Sequence, residues 1–482
     1  MTILDAIHDA KLLRPLFKDL ATWQAWLVVL RAIFGLPMSD EDLSIFRQLT
    51  GRQHPPAGPV SEAWLICGRR SGKSFIVALI AAFLACFRDY RSCLGPGERG
   101  VIPVIATDKK QSRIIMRYLK AILQSVPMLA GMIEREDTES IDLTNGVTIE
   151  IMTASYRTIR GYTVLAALCD EIAFWRSEES SNPAEEILAA LRPAMATIPG
   201  ALLLGLSSPY KRSGPLYEAH KRHYGKDESS VLIVQSETRR MNPCVPQSII
   251  DRAMELDPAA ASAEYLAQFR SDVGTFLDYE LIEQAIERGR HERAPQDRYH
   301  YTAFCDPSGG VHDSFALSIA HTEGERYVLD VCRGIKPPFD PSAVAKEFSN
   351  LLKSYRCYTV TGDRYSGEWV REAFDKNGIT YQHSELTKSE LYLEVLPLFS
   401  QGALSLLDIQ PLTLELMQLE RRTARSGKDS IDHPPGGRDD LANACCGNIT
   451  LCSQQGRHQV QMYDTGTGRP LSRQKLRQLG IY

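Results

Sequence analysis

Apolar residues occur in short runs along the first half of the chain, and stretches with helical spacing lie between them. The runs that predict buried strands are 63–66, 101–106, 148–152, 164–170 and 201–207. Residues 75–87 and 108–123 lie between these runs and predict helices. Strands that alternate with helices in this way predict an α/β fold with a parallel, doubly wound sheet.

The pattern changes in the last third of the chain. A strand that ends in Asp306 is followed by two strands of alternating apolar and polar residues, over 314–320 and 326–332. Such alternation is typical of antiparallel strands, so we expect a meander with an acid on its first strand. A later strand ends at Asp363, and a helix opens at Asp439. Two sheets of different type predict two domains, as a length of 482 residues also does.

Composition narrows the class of protein. Apolar residues make up 44% of the chain and charged residues 24%, as in ordinary globular proteins. The formal net charge is −4, so binding to nucleic acid would need local basic patches. The apolar run 75–87 is too short to span a bilayer, and the N-terminus lacks the layout of a signal peptide. The eleven cysteines are scattered without metal-ligand spacing, so we expect a cytosolic protein without membrane contact.

A basic, glycine-bearing loop connects the strand 63–66 to the helix 75–87. Its residues are Gly68, Arg69, Arg70, Ser71, Gly72, Lys73 and Ser74. A strand, a Gly-Lys-Ser loop and a helix form the context of a phosphate-binding loop, in which backbone N–H groups surround a polyphosphate. Lys73 would supply a positive charge and Ser74 a ligand for Mg²⁺, so we expect ATP and Mg²⁺ here. Cys67 occupies the usual first glycine position; the alternative is a basic loop that only caps a core helix.

Polar residues end the last two predicted strands of this sheet, 164–170 and 201–207. Asp170 and Glu171 follow the run 164–170. The aspartate would hold Mg²⁺ through water and the glutamate would polarise the attacking water, although an acidic helix cap is the alternative. Ser207 and Ser208 end the following strand, where hydroxyls either sense the γ-phosphate or start a turn.

Four acids in the last third of the chain form a second candidate site. They are Asp306, Asp363, Asp439 and Asp440. Acids on a first strand, a later strand and a final helix are typical of the ribonuclease H-like fold, where they bind two divalent metals roughly 4 Å apart. Hard oxygen ligands favour Mg²⁺ or Mn²⁺. The sequence does not choose between Asp439 and Asp440, and it leaves the role of Asp313 open.

Taken in order over residues 40–450, these motifs resemble the large terminase subunit of a tailed bacteriophage or prophage. The resemblance implies an N-terminal P-loop ATPase of the additional-strand type and a C-terminal ribonuclease H-like nuclease. It also implies that Arg69 acts on the γ-phosphate and that Ser207 and Ser208 form a coupling motif. Arg157 and Arg160 are weaker candidates for action on a neighbouring subunit's nucleotide.

The sequence divides into five predicted segments. They are an N-terminal helical part of the ATPase (1–60), the P-loop ATPase core (61–275), a linker (276–298), the ribonuclease H-like nuclease (299–452) and a flexible basic tail (453–482).

By the same resemblance, the expected function is packaging: ATP hydrolysis drives double-stranded DNA into a procapsid, and the nuclease cuts concatemeric DNA. The implied partners are double-stranded DNA, a portal protein, a small terminase subunit and further copies of the chain in a ring, a pentamer. The implied location is the cytoplasm of the bacterial host, with transient docking at the portal vertex of the procapsid. The alternatives are a repair or helicase-like ATPase with an accessory nuclease, and a non-enzymatic DNA-binding scaffold.

Overall fold

The computed structural model describes residues 1–107, 109–153, 161–175, 183–311, 313–363, 368–423, 429–434 and 436–459. The chain divides into two compact units, Met1–Ser271 and Asp272–Tyr482. No helix in these described ranges is long and apolar enough to cross a membrane.

Eleven α-helices and nine strands build the described part of the first unit. The helices are α1 (Ile3–His8), α2 (Gln24–Phe34), α3 (Asp40–Thr50), α4 (Lys73–Phe87), α5 (Lys109–Ser125), α6 (Pro127–Ala130), α7 (Pro183–Met195), α8 (Pro215–His223), α9 (Thr238–Met241), α10 (Gln247–Leu256) and α11 (Pro258–Leu266). The strands are β1 (Glu62–Cys67), β2 (Gly100–Ala106), β3 (Ile133–Glu136), β4 (Ser140–Leu143), β5 (Val147–Thr153), β6 (Thr163–Val164), β7 (Ala166–Asp170), β8 (Leu202–Ser207) and β9 (Val231–Ser236). Three short 3-10 turns span Arg14–Leu16, Leu20–Trp23 and Ile172–Phe174.

The strands of the first unit form one sheet in the order β3-β4-β5-β2-β7-β8-β1-β9, with β6 beside β2. The pairs from β5 to β9 are parallel, and β3 and β4 add an antiparallel hairpin at one edge. Strand β8 lies between β1, which leads into the phosphate loop, and β7, which carries the acid pair. This inserted strand confirms the predicted additional-strand fold.

The strands at the centre of this sheet are hydrophobic along their whole length because both faces are covered. Residues 63–67 of β1 and all of β7 are buried. Helix α4 is also buried on nearly every side, so it lies in the interior against the sheet. Polar residues at the ends of β1, β7 and β8 therefore meet at one edge of the sheet.

The described part of the second unit has six α-helices and ten strands. The helices are α12 (Tyr279–Ala285), α13 (Pro341–Ser354), α14 (Glu368–Asp375), α15 (Lys388–Ser400), α16 (Gln410–Gln418) and α17 (Asp440–Gln459). The strands are β10 (Val273–Thr275), β11 (Ile286–Glu287), β12 (Tyr301–Asp306), β13 (Phe315–Glu323), β14 (Arg326–Ile335), β15 (Thr359–Gly362), β16 (Thr380–His383), β17 (Leu404–Leu407), β18 (Glu420–Thr423) and β19 (Asp429–Asp432).

The main sheet of the second unit has the order β11-β17-β14-β13-β12-β15-β16. Strands β12, β13 and β14 form the predicted antiparallel meander, and β15 and β16 run parallel to β12. Helix α17 crosses the meander and is tied to it by buried hydrogen bonds, including Thr302 Oγ1 to Asn448 Oδ1 at 2.6 Å. This arrangement confirms the predicted ribonuclease H-like fold.

The segment 276–298, which the sequence predicted as a linker, contributes structure to the second unit. It contains α12 and β11, and β11 pairs with β17 in the main sheet. Phe276, Leu277 and Ile282 are buried in the hydrophobic core of that unit. Before it, β10 joins β18 and β19 in a separate three-stranded sheet. The two compact units therefore divide earlier, between residues 271 and 272.

The C-terminal helix extends into the segment 453–482 that the sequence predicted as a flexible tail. Helix α17 continues to Gln459, and residues 460–482 lie outside the described part of the chain. Within the helix, Gly447 faces the ring of Phe304 on β12. A Cβ atom at this glycine would lie 2.7 Å from three ring carbons.

We expect Gly447→Val to destabilise the second unit, because its side chain would overlap Phe304. Overpacking of a close contact typically costs about 1–3 kcal/mol. The measurement is the midpoint of urea unfolding, followed by circular dichroism. Gly274→Ala on β10 is the matched control, since a Cβ atom there would meet no atom within 4 Å in the described structure. Equal midpoints for both variants would contradict a tight contact at Gly447.

Candidate functional site

The phosphate loop is held from outside by side chains that bind its carbonyl groups. The three contacts are Trp26 Nε1 to Ser71 O at 2.7 Å, Thr238 Oγ1 to Arg69 O at 2.8 Å, and Asn242 Nδ2 to Arg70 O at 2.8 Å. In a trans peptide, the N–H of the next residue points away from the carbonyl oxygen. The N–H groups of residues 70–72 therefore face the other side of the loop, as an anion-binding nest requires.

Lys73 begins helix α4 and turns its ammonium group back into the loop. Gly72 precedes it with φ +99°, a left-handed conformation that favours glycine. The buried ammonium donates to Cys67 O at 2.9 Å, Gly68 O at 3.2 Å and Ser208 Oγ at 3.1 Å. Ser74 follows in the first turn of the helix and is half-buried. The structure thus brings the loop and the end of β8 together around one positive charge.

The predicted acid pair lies at the end of β7, opposite the loop. Glu171 has φ +50°, an uncommon conformation for a residue with a side chain. Its Oε2 accepts a hydrogen bond from Ser207 Oγ at 3.1 Å, and its Oε1 lies 3.8 Å from the ammonium of Lys73. The glutamate is therefore oriented by Ser207 at the end of β8 and faces Lys73 at the start of α4, an arrangement that suits a water-activating base.

Asp170 is buried beside this glutamate, and its environment fits a cation. Burial, together with the neighbouring charge of Glu171, raises the pKa of Asp170 to about 7, although Lys73 opposes the shift. Asp170 Oδ1 is buried and has no hydrogen-bond partner among the described residues. The hydroxyl oxygen of Ser71 is in the same situation within the described chain. Unpaired polar atoms beside a loop that binds anions fit a nucleotide with Mg²⁺.

Unlike the buried Lys73, the two arginines of the phosphate loop have exposed side chains. Arg69 Nη1 pairs with Glu264 Oε1 of α11 at 3.0 Å, and both side chains are largely exposed. Arg70 has φ +63° and an exposed side chain. Arg157 and Arg160 lie outside the described residues.

The four acids predicted for the second site line a single cavity of about 450 Å³ in the second unit. Asp306 ends β12, Asp363 directly follows β15, and Asp439 and Asp440 stand at the start of α17. Asp313, whose role the sequence left open, lines the same cavity. Acids that are more than a hundred residues apart in sequence are therefore brought together by the sheet and its crossing helix.

Three acids of this cavity, the half-buried Asp306 and the buried Asp439 and Asp440, each have a hydrogen-bond partner of their own. Asp306 Oδ2 accepts from Asn443 Nδ2 at 2.9 Å, Asp440 Oδ2 from the Ser314 N–H at 2.9 Å, and Asp439 Oδ2 from the Tyr392 hydroxyl at 2.8 Å. These partners fix the three carboxylates in position before any ligand arrives.

The electrostatics of the cavity fit divalent cations. Burial raises the pKa of Asp306 well above its usual range, and the charges of Asp440, Asp439 and Asp363 raise it further. Burial also raises the pKa of Asp440. Asn443 Oδ1 is buried without a hydrogen-bond partner in the described part of the chain. Crowded carboxylates and an unpaired amide oxygen supply the hard ligands that Mg²⁺ and Mn²⁺ prefer.

Several residues of the two sites were not predicted from the sequence. In the first they are Trp26, Thr238 and Asn242; in the second they are Asn443, Lys388, Tyr392, His433 and Glu415. Asn443 stands three residues after Asp440 on α17, so helical spacing could have indicated it. Glu415 Oε2 accepts the N–H of Ala442 at 2.9 Å, and burial raises the pKa of this glutamate to about 8. The others lack such a local signal.

Comparisons with known proteins give structural matches alone: no family model and no curated protein matches the sequence. The large terminase of bacteriophage HK97 is 16% identical, with 89% of this chain and 99% of that chain covered and a TM-score of 0.37. The large terminase of a thermophilic bacteriophage is 12% identical, with 86% and 99% covered and a TM-score of 0.37. The large terminase nuclease of phage G20c with bound magnesium is 16% identical, with 36% and 95% covered and a TM-score of 0.32.

These solved structures are large terminases or a large terminase nuclease, and the large terminase is the family that the sequence motifs resemble. At these identities and TM-scores, the roles of individual residues rest on the geometry of this chain.

We expect Asp170→Asn to stabilise the first unit at high pH. The folded protein keeps a proton on Asp170 up to about pH 7, whereas the unfolded chain releases it near pH 4. Between these values the folded state binds more protons, so the contribution of Asp170 to stability falls as pH rises. The variant should gain about 4 kcal/mol at pH 8, at about 1.4 kcal/mol per pKa unit, and only about 1 kcal/mol at pH 4.5, where the unfolded chain has already released most of this proton.

The measurement is urea unfolding in chelator without nucleotide, followed by tryptophan fluorescence. Four of the five tryptophans belong to the first unit, so the signal reports chiefly on it. Asp251→Asn, which changes an exposed acid on α10, is the control and should behave like the parent at both pH values. An equal gain for Asp170→Asn at pH 4.5 and pH 8 would show that its charge is not the cause.

Proposed function

We propose that the chain is the large subunit of a phage terminase, a DNA-packaging motor with an ATPase and a nuclease. The observation that carries the proposal is the presence, in one chain, of an additional-strand P-loop site and an acid-lined ribonuclease H-like cavity. The order of motifs along the chain supports the same family. Translocation of double-stranded DNA into a procapsid and cleavage of concatemeric DNA are the two activities proposed.

In the proposed ATPase site, residues 68–74 cradle the phosphates of ATP. The loop N–H groups and the ammonium of Lys73 neutralise the phosphates, while Ser74 and Asp170 would hold Mg²⁺. The metal supplies positive charge to the oxygens of the transferred phosphoryl group. Glu171 accepts the proton of the attacking water, and Ser207 holds its carboxylate in place. Ser207 and Ser208 connect the end of β8 to both Glu171 and Lys73, which supports a coupling role.

Arg69 is proposed to act on the γ-phosphate from within the loop. Its ion pair with Glu264 is exposed, and such pairs contribute little free energy, typically about 0–1 kcal/mol. Exchange of this carboxylate for a phosphate group is therefore inexpensive. Arg157 or Arg160 is proposed to act on the nucleotide of a neighbouring subunit.

In the proposed nuclease site, Asp306, Asp363 and an aspartate at the start of α17 would hold Mg²⁺ or Mn²⁺. Such ions make a bound water nucleophilic and stabilise the leaving oxygen of a phosphodiester. Asn443 holds the carboxylate of Asp306 in a fixed orientation. The cavity admits the phosphate backbone of DNA because Val311 and Asp313, on one side of it, are exposed.

The proposed partners follow from the terminase assignment. They are double-stranded DNA, the portal protein, the small terminase subunit and further copies of the chain in a pentameric ring. The proposed location is the cytoplasm of the bacterial host and, during packaging, the portal vertex of the procapsid. The alternative class, a repair or helicase-like ATPase with an accessory nuclease, is not favoured. Stimulation of ATP hydrolysis by a portal protein or a small terminase subunit distinguishes the two classes.

We expect Glu171→Gln to bind ATP and to hydrolyse it at least about 100-fold more slowly than the parent. The amide keeps the shape of the side chain but cannot accept a proton, and a positioned base contributes at least this factor. The measurement is steady-state phosphate release together with binding of a fluorescent ATP analogue. Glu218→Gln, at a half-buried position on α8 where the acid pairs with Arg222, is the control and should hydrolyse ATP normally. Hydrolysis by Glu171→Gln at the parent rate would remove the glutamate from its proposed role.

We expect Asp306→Asn and Asp363→Asn each to abolish cleavage of plasmid DNA in Mn²⁺ without ATP. Each change removes a charged oxygen ligand, while ATP hydrolysis in the other unit should continue. Asp297→Asn, at an exposed position in the same unit where the acid pairs with Arg356, should cut like the parent. If both cavity variants still cut, the acids are structural and the nuclease proposal fails.

A further inference from the structure

Lys388 places a positive charge at the wall of the acid-lined cavity. It is the first residue of α15, whose start is fixed by a capping box between Thr387 and Glu390. Its ammonium lies 2.6 Å from Asp432 Oδ1 and 3.1 Å from Asp439 Oδ2. The side chain is mostly buried and lines the same cavity as the acids. The ammonium of Lys388 is therefore a fixed positive charge at the cavity wall, and the carboxylates of Asp432 and Asp439 hold it in place.

The surroundings of this lysine have the spacing of a metal site. Asp432, His433 and Asp439 each offer one ligand atom, and these atoms lie within 4.8 Å of one another. His433 Nε2 is 3.9 Å from an oxygen of each aspartate. The ammonium of Lys388 contacts the carboxylates of both aspartates. It therefore occupies the position at which a metal ion would bind these three residues.

The two adjacent aspartates at the start of α17 consequently differ in their surroundings. Asp439 faces the ammonium of Lys388 and also accepts a hydrogen bond from the buried Tyr392. Asp440 accepts from a neutral donor, the N–H of Ser314. The negative charge that a metal could neutralise is thus concentrated on Asp306 and Asp440.

We propose that Lys388 is a positioning residue that serves Asp439 in place of a metal ion and so confines divalent metal to Asp306, Asp363 and Asp440. The inference rests on the proposed nuclease function and deepens it, because it decides between the adjacent aspartates. It has a direct physical consequence: removal of the ammonium leaves Asp432, His433 and Asp439 with an unbalanced charge. These three residues would then bind a divalent ion that the parent protein excludes.

The test is the number of Mn²⁺ ions bound per full-length chain, measured by titration calorimetry after removal of metal with chelator and without nucleotide. Lys388→Met removes the charge and keeps a long apolar stem. It should bind one Mn²⁺ more than the parent, and the double change Lys388→Met with His433→Ala should lose this additional ion. Lys388→Arg keeps the charge and should bind the same number as the parent. A Lys388→Met protein with the parent's number would overturn the proposal.

The adjacent aspartates provide the second arm of the experiment. Asp439→Asn should bind as many Mn²⁺ ions as the parent, whereas Asp440→Asn should bind at least one fewer. Tyr392→Phe is the matched control, since it removes a hydrogen bond to Asp439 without a change in charge, and it should bind the parent's number. Loss of an ion in Asp439→Asn would overturn the proposal.

Metal binding and DNA cleavage are separate readouts in this design. If the parent protein binds Mn²⁺ but cuts no DNA, the nuclease function fails while the role of Lys388 is still decided by the titration. If the parent cuts DNA and Lys388→Met gains no ion, the nuclease function stands and the role of Lys388 fails.

Discussion

Both candidate sites depend on carboxylates that are buried or half-buried at the carboxyl ends of hydrophobic strands. Asp170 ends β7 and Asp306 ends β12, and apolar residues surround each strand. An ionised carboxylate in such a place costs several kcal/mol unless a cation or hydrogen bonds compensate it. These acids cannot move out into water unless the strands that carry them lose their packing. Compensation must therefore come from groups assembled at the sheet edge, and those groups define the chemistry of each site.

The two units meet this requirement in different ways. In the first, Lys73 reaches across the sheet edge from the phosphate loop and lies near Glu171 and Ser208. In the second, the N-terminus of α17 faces the acids, and a helix N-terminus favours negative charge. Lys388 adds a fixed positive charge on one side of the cavity. A bound divalent cation would relieve the repulsion that remains, so cofactor binding and stability of the folded state are coupled.

The sequence predicted the parts of the structure that have a local signature. The phosphate loop, the acid pair and the meander with Asp306 all show hydrophobic runs followed by characteristic polar residues. Contacts between distant segments left no such trace. Thr238 and Asn242 bind loop carbonyls about 170 residues away in sequence, and no pattern around them indicates it. The structure within the predicted linker 276–298 was missed for a similar reason: α12 and β11 are short, charged segments whose burial depends on partners such as β17.

The close approach of Gly447 to Phe304 has a consequence for the metal preference of the cavity. Gly447 lies seven residues after Asp440, about 10 Å along the same face of α17. Phe304 lies two residues before Asp306 on β12. The missing side chain at residue 447 thus sets how near the helix comes to the strand, and with it the span between the two carboxylates. Mg²⁺ binds oxygen at about 2.0–2.1 Å and Ca²⁺ at about 2.3–2.6 Å. A side chain at residue 447 would push α17 away from β12, so we expect it to widen the gap between Asp306 and Asp440 and to favour the larger Ca²⁺ over Mg²⁺.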